Sequence, residues 1–226
     1  MGVYCSQYWS VIWKWNNPVF QNREEAARLI AERLERYRGA RPLVLAIPRG
    51  GVPMGRIVAD ALDGELDVVL VHKLGAPGNP EYAIGAVDEN GRVELTAAAH
   101  QLGISQEYIE REKQAQLERI QERRRNYGRP PVDPGNRVTI VVDDGVATGS
   151  SLKAALGAVR AQGPSKLIAA VAVAPPEAAE RLEDTVDELV CLQTPEPFFA
   201  VGQFFAEFSQ VTDEEVIALL SRGQSQ

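Results

Sequence analysis

The sequence predicts an α/β fold, a mostly parallel sheet flanked by helices. Three observations carry this. Short apolar runs alternate with segments of helical periodicity from residue 43 to residue 191, the pattern of right-handed strand–helix–strand crossovers. The run 138–142 is wholly apolar or β-branched, as in a strand covered on both faces. The totals (226 residues, 45% hydrophobic, 24% charged) suit one large domain with a sizeable core.

Residues 1–19 contain Trp9, Trp13 and Trp15 but no recognisable element, and read as an extension ahead of a domain at 20–226. Asn22 followed by Glu25 has the spacing of a capping box. Ala26, Ala27, Leu29, Ile30, Leu34 and Tyr37 then recur at helical spacing until Gly39 stops the helix. Residues 43–47 form a short strand closed by Pro48, Arg49, Gly50 and Gly51, and residues 52–62 form the next helix. That loop lies at the carboxyl end of its strand, where open α/β sheets bind ligands. Its glycines permit unusual backbone geometry, and Arg49 supplies a fixed positive charge. Residues 66–71 read as the next strand, with Lys73 just past its end, an ammonium placed to meet an anion. Each loop taken alone reads as a plain turn with a solvated cation; two of them at one sheet edge favour binding. His72 reads as a satisfied structural histidine and His100 as an exposed residue of a helix.

Asn90-Gly91 between the runs 82–87 and 92–95 is a strong hairpin signal. Residues 96–102 read as helical until Gly103, and Ser105 opens a long helix to about residue 127, rich in Glu and Arg. Such a pattern marks a solvated face with i,i+4 pairs. A second reading makes the inserted segment 96–129 a lid whose arginines reach phosphate. A Pro/Gly connector (128–135) leads into the strand at 138. Further strands at 167–174 and 186–191 flank a short helix at 177–182, and Thr212 caps a last helix. The aromatics between 198 and 208 either stack on a nucleobase or, the better supported reading, form core under that helix.

The strand 138–142 ends in two adjacent carboxylates, Asp143 and Asp144, before a turn and a helix. A turn entering a helix presents free backbone N–H groups and the positive end of the helix dipole. Gly149 lets backbone approach a ligand, and Thr148, Ser150 and Ser151 add hydroxyls, so the turn makes a cradle for one phosphate. The acids repel phosphate but accept hydrogen bonds from vicinal hydroxyls or hold Mg²⁺. A ribose 5-phosphate suits both halves at once. The plainer alternative is a strand–turn–helix whose acids only cap the helix.

This stretch resembles the 5-phosphoribosyl 1-diphosphate (PRPP) motif of type I phosphoribosyltransferases: a hydrophobic run, two acids, then Thr-Gly-x-Ser/Thr. Gly145 departs from the apolar residue usual there. The loop Pro48-Arg49-Gly50-Gly51 resembles the pyrophosphate loop of the same enzymes. With residues 73–80 and 194–205, the likeness runs from Phe20 to the C-terminus and is to a bacterial group of unassigned acceptor. The resemblance implies transfer of the phosphoribosyl group of PRPP to a nitrogenous base, with release of pyrophosphate. It implies Asp143 and Asp144 as the catalytic acids at the ribose. It gives Val146, Ala147, Thr148, Gly149, Ser150 and Ser151 to the 5′-phosphate, and Arg49, Gly50, Gly51 and Lys73 to the pyrophosphate. Mg²⁺ would be the cofactor, held mainly by the substrate, with Asp143 or Asp144 as the protein groups nearest to hand. The predicted hairpin stands where these enzymes carry a flexible catalytic loop. Ala147 stands where 6-oxopurine enzymes place an Asp, which disfavours hypoxanthine and guanine. A homodimer is also implied. The alternative is a regulator that binds PRPP or a nucleotide without turnover, because a fold does not fix function.

Other classes are disfavoured. The net charge of −7 argues against general nucleic-acid binding or adhesion to an anionic membrane. Cys5 and Cys191, with two histidines, are too few for a disulfide framework or a zinc cluster. No apolar run is long enough to span a bilayer and no leader pattern is visible, so a cytoplasmic protein is expected.

Overall fold

The computed structural model describes residues 19–222, so the expectations for residues 1–18, including the three tryptophans and Cys5, lie outside the described residues. Helix α1 (Arg23–Arg33) is capped by Asn22, whose side chain accepts the Glu25 N–H at 3.0 Å. The Glu25 carboxylate takes the N–H of Gln21 rather than that of Asn22, so the capping box is only half formed. The helix also stops short of Gly39, because Glu35–Tyr37 tightens into a 3₁₀ turn.

Strand β1 (Leu43–Ala46), helix α2 (Gly51–Ala61) and β2 (Glu65–Val68) follow. The predicted strand at 66–71 is really the end of one strand and the start of another. Val69 N–H still bonds to Ala46 O at 3.1 Å, but Ala46 is the last residue of β1. The chain then leaves the sheet and Val71 opens β3 (Val71–Ala76), which pairs antiparallel with β4 (Asn79–Asp88). Lys73 therefore lies within β3, not beyond a parallel strand. The expected Asn-Gly hairpin is present: β4 pairs with β5 (Val93–Leu95), Val87 opposite Val93.

Helices α3 (Ala97–Gln101) and α4 (Gln106–Asn126) follow, the second capped by Ser105 through the Tyr108 N–H. The remainder is β6 (Val138–Gly145), α5 (Ser150–Arg160), β7 (Lys166–Val173), α6 (Pro176–Glu183), β8 (Glu188–Gln193) and α7 (Asp213–Ser221). The main sheet runs β2-β1-β6-β7-β8, all parallel, and β3-β4-β5 form a separate antiparallel sheet. The mostly parallel sheet flanked by helices is thus observed, with β6 at its centre. Strand alternation sends Ile140 and Val142 into the core containing Ile30 of α1 and Val58 of α2, and Val141 into the core containing Leu152 and Leu156 of α5.

Helix α4 is a brace. It packs on β3 and β4, and its Arg124 reaches under the sheet to Asp67 Oδ1 (2.9 Å), Val68 O (2.9 Å) and both oxygens of Glu89 (2.8 Å each). Gln116 on the same face meets His72 Nδ1 at 3.2 Å, as expected of a structural histidine. Burial holds that imidazole below its ordinary pKa. His100 is exposed on α3. Of the aromatics after residue 197, Phe204 and Phe205 are core, whereas Phe199 is 83% exposed. No helix among the described residues is long and apolar enough to cross a membrane.

Candidate active site

The parallel register brings two of the predicted loops together. Ile47 N–H donates to Val142 O at 2.9 Å, so the chain leaving β1 lies beside the acid-bearing end of β6. The approach is tight. A β-carbon at Gly50 would collide with Asp144 Oδ2, and one at Gly51 would come within 2.6 Å of Val142 O. The Pro48–Arg49 peptide is cis. Arg49 turns toward the start of α7, 3.5 Å from Asp213 Oδ2, and Asp213 also accepts from the Tyr127 hydroxyl at 3.2 Å.

The two acids face opposite ways. Asp143 shares the Val141 face, toward α5, while Asp144 shares the face of Ile140 and Val142, toward α1. Asp143 is half-buried and its Oδ1 accepts the Asp144 N–H at 2.9 Å. Burial, then the neighbouring Asp144, push its carboxyl well above the ordinary range. Asp144 is buried and meets Arg23 Nε at 2.8 Å. Burial raises its pKa too, with Arg23 opposing. Arg23 was not among the predicted site residues; it lies 121 positions away on α1, and nothing in its local sequence marks it.

Beyond Asp144 the chain is pinned by Val146 N–H to Val173 O at 2.8 Å. Gly149 then takes φ +83°, the left-handed conformation that favours glycine, and α5 begins without a side-chain cap. The first backbone donor of the turn to find an acceptor is Lys153, to Gly149 O at 2.8 Å. Among the described residues, none accepts the N–H groups of residues 147–152. Thr148 Oγ1 lies 3.3 Å from Ser150 Oγ, and Ala147, Thr148, Ser150 and Ser151 are exposed. Six backbone donors at the positive end of a helix are chemically suited to receive an anion. Gly145, the departure from the family pattern, has a packing reason: a β-carbon there would come within 2.6 Å of Val201 and 2.7 Å of Val173. Val201 supplies the apolar group that residue 145 lacks.

Lys73 is placed differently from expectation. It lines a cleft of about 830 Å³ together with Thr148, Gly149, Ser150 and Ser151; Arg49 and the acids are not part of that lining. Its ammonium is paired with Glu81 at 2.7 Å. Thr96 and Ala97 of the inserted segment line this cleft, and no α4 residue does. The structure thus joins Gly50 and Gly51 to the acids, turns Arg49 to Asp213, and places Lys73 in one cleft with residues 148–151.

The phosphoribosyl transferase domain family matches residues 19–205. Two relatives from Mycobacterium tuberculosis (strains CDC 1551 and H37Rv), each provisionally named a phosphoribosyl transferase, are 41% identical over 208 residues, 90% of this chain and 47% of theirs. The chain therefore spans about half the length of the curated relatives it matches. The crystal structure of TT1426 from Thermus thermophilus is 46% identical, with a TM-score of 0.80 over 89% of this chain and 97% of that one. The phosphate turn, the acid pair and the Gly50–Gly51 approach all fall inside the matched span. The chain belongs to the phosphoribosyl transferase domain family.

Proposed function

We propose that the protein transfers the 5-phosphoribosyl group of PRPP to a nitrogenous base and releases pyrophosphate. The observation that carries this is the run of six backbone N–H groups at residues 147–152 with no acceptor among the described residues, directly after the acid end of β6. In this reading the turn fixes the 5′-phosphate, so that binding energy far from the reacting carbon orients the sugar. Asp143 faces the pentose hydroxyls and favours positive charge developing at the anomeric carbon. The bond from that carbon to the diphosphate oxygen breaks with its electron pair on the leaving group. A base nitrogen forms the new bond, and the proton it loses passes to the departing diphosphate. Arg49, Gly50 and Gly51 receive the diphosphate, for which Arg49 exchanges its contact with Asp213; Lys73 approaches from the cleft side, in exchange for Glu81.

Among the described residues there is no group of three or more His, Cys, Asp or Glu side chains that could hold a metal, and Asp144 is engaged by Arg23. The donor set therefore suits Mg²⁺ arriving with the substrate and held by its diphosphate and hydroxyl oxygens, where it neutralises the leaving group. The Ala147 side chain offers a 6-oxopurine neither charge nor hydrogen bond, so other bases are the expected acceptors.

A second reading, a regulator that binds PRPP or a nucleotide without turnover, is favoured by one observation: Asp144 is already neutralised by an internal cation. Pyrophosphate release from Mg–PRPP over a panel of bases, beside direct PRPP binding, separates the two. Release with at least one base other than hypoxanthine or guanine supports transfer. Binding without release from any base supports the regulator, and no binding overturns both.

A further inference from the structure

The inference rests on reading this edge as a phosphoribosyl site and concerns the division of labour between its acids. We infer that Arg23 is the positioning residue of the acid pair: it clamps Asp144 against the Gly50–Gly51 turn and leaves Asp143 alone to face the pentose.

The clamp has three sides. Arg23 Nε meets Asp144 Oδ2 at 2.8 Å with both side chains 12% exposed. Nη1 donates to Ser209 O at 2.7 Å. The guanidinium carbon lies 3.8 Å from the centre of the Phe208 ring, a cation–π distance, and that ring stacks on Phe205 at 5.1 Å. The backbone beneath Arg23 is held as well. Val19 and Phe20 donate to Phe204 O, while Ala206 and Glu207 donate back to Phe20 O and Gln21 O, at 2.8–3.0 Å. The start of α1 and the 204–209 segment thus form one frame, and Arg23 is the group it sends to the acid edge.

The backbone of Gly50 crowds the same oxygen that Arg23 holds: a β-carbon there would lie 2.1 Å from Asp144 Oδ2. Guanidinium and loop backbone thus both bear on that one carboxylate oxygen. A planar guanidinium fixes direction as well as charge, through several donors at set angles. Moving or neutralising it frees the carboxylate to turn, and the Gly50–Gly51 backbone loses the surface it rests on. Among the described residues Asp143 has no such clamp; its Oδ1 accepts the next backbone N–H.

The test uses R23M and R23K with two readouts: the amide resonances of Gly50 and Gly51, and calorimetric affinity for Mg–PRPP. R23M is expected to move both resonances and weaken affinity about tenfold or more, while melting cooperatively; R23K, which keeps the charge, is expected to recover most of the affinity. Wild-type glycine resonances and affinity in R23M would overturn the inference, as would an R23K protein no better than R23M. If R23M does not fold, F208L removes only the ring under the guanidinium. It is expected to shift the same two resonances, and unchanged resonances and affinity would overturn the clamp. Failure of the wild type to bind Mg–PRPP would remove the phosphoribosyl reading, and the glycine resonances of R23M would still decide whether Arg23 sets the loop.

Discussion

Two largely enclosed arginines hold acids in this molecule, and they do so in opposite ways. At the β2 end, Arg124 satisfies Asp67 and Glu89 with three hydrogen bonds and gives a fourth to Val68 O, and Arg129 Nε adds a second cation 3.6 Å from Asp67. Two positive charges meet two negative ones. At the β6 end, among the described residues, Arg23 is the one cation paired with either acid; it holds Asp144, and Asp143 is left over. Beside that surplus carboxylate lie six backbone donors with no acceptor among the described residues. The first cluster is closed and serves structure. The second is left incomplete in both signs, and the proposed ligand, carrying hydroxyls and a phosphate, would complete it.

If that contrast is right, breaking the closed cluster costs stability and leaves binding alone. R124M removes the hydrogen bonds Arg124 gives to buried Asp67 and half-buried Glu89 and is expected to lose about 3–5 kcal/mol of unfolding free energy, read from urea titrations. The protein that remains folded should keep its Mg–PRPP affinity. A large loss of affinity at unchanged stability would erase the distinction between the two regions.

Substitutions at the open cluster behave otherwise. G145V forces side chains into Val201 and Val173 and is expected to cost about 1–3 kcal/mol, again by urea titration, because the acid-bearing strand must shift. G149V strains a backbone with φ +83° by about 1–3 kcal/mol. Its expected signature is a Mg–PRPP affinity reduced about tenfold or more with α-helical circular dichroism retained. A valine at 149 without effect on binding would remove the turn from the site.

The smallest expected effect concerns Asp143, and its sign is informative. Its raised folded pKa means the fold prefers the neutral carboxyl. That stabilising contribution is complete below the ordinary Asp value of about 4 and is lost as pH rises through the folded pKa. D143N is neutral at every pH, so thermal melts should show it more stable than wild type near neutrality, with the gain fading toward about pH 4. The same variant should bind Mg–PRPP less well. Equal melting temperatures across the range would mean that the charge of Asp143 costs the fold nothing.

Much of this was legible in the sequence, and the misses have physical causes. The strands at 43–47, 138–142 and 167–174 announce themselves because buried parallel strands are wholly apolar. The same property hid the break after Val68, since Val69 and Leu70 continue the apolar run without glycine or proline to mark the exit. Ser105 and Asn22 revealed their helix starts through local hydrogen bonds that sequence spacing encodes. Arg124 stands in a run of three arginines, and charge pattern does not tell which one turns inward. The turn at residues 147–152 and the acids beside it were readable as candidates because their chemistry is local. Arg23, Phe208 and Val201 were not, because each acts on a residue far away in the chain that only the tertiary fold brings near.

The account depends most on the turn between Asp144 and α5 holding a phosphate. The most direct measurement is a two-dimensional amide NMR titration of the ¹⁵N-labelled full chain with Mg–PRPP. The prediction is saturable movement of the backbone amides of residues 147–152, larger than that of amides on α4. Saturable binding that leaves those six amides where they were would contradict it.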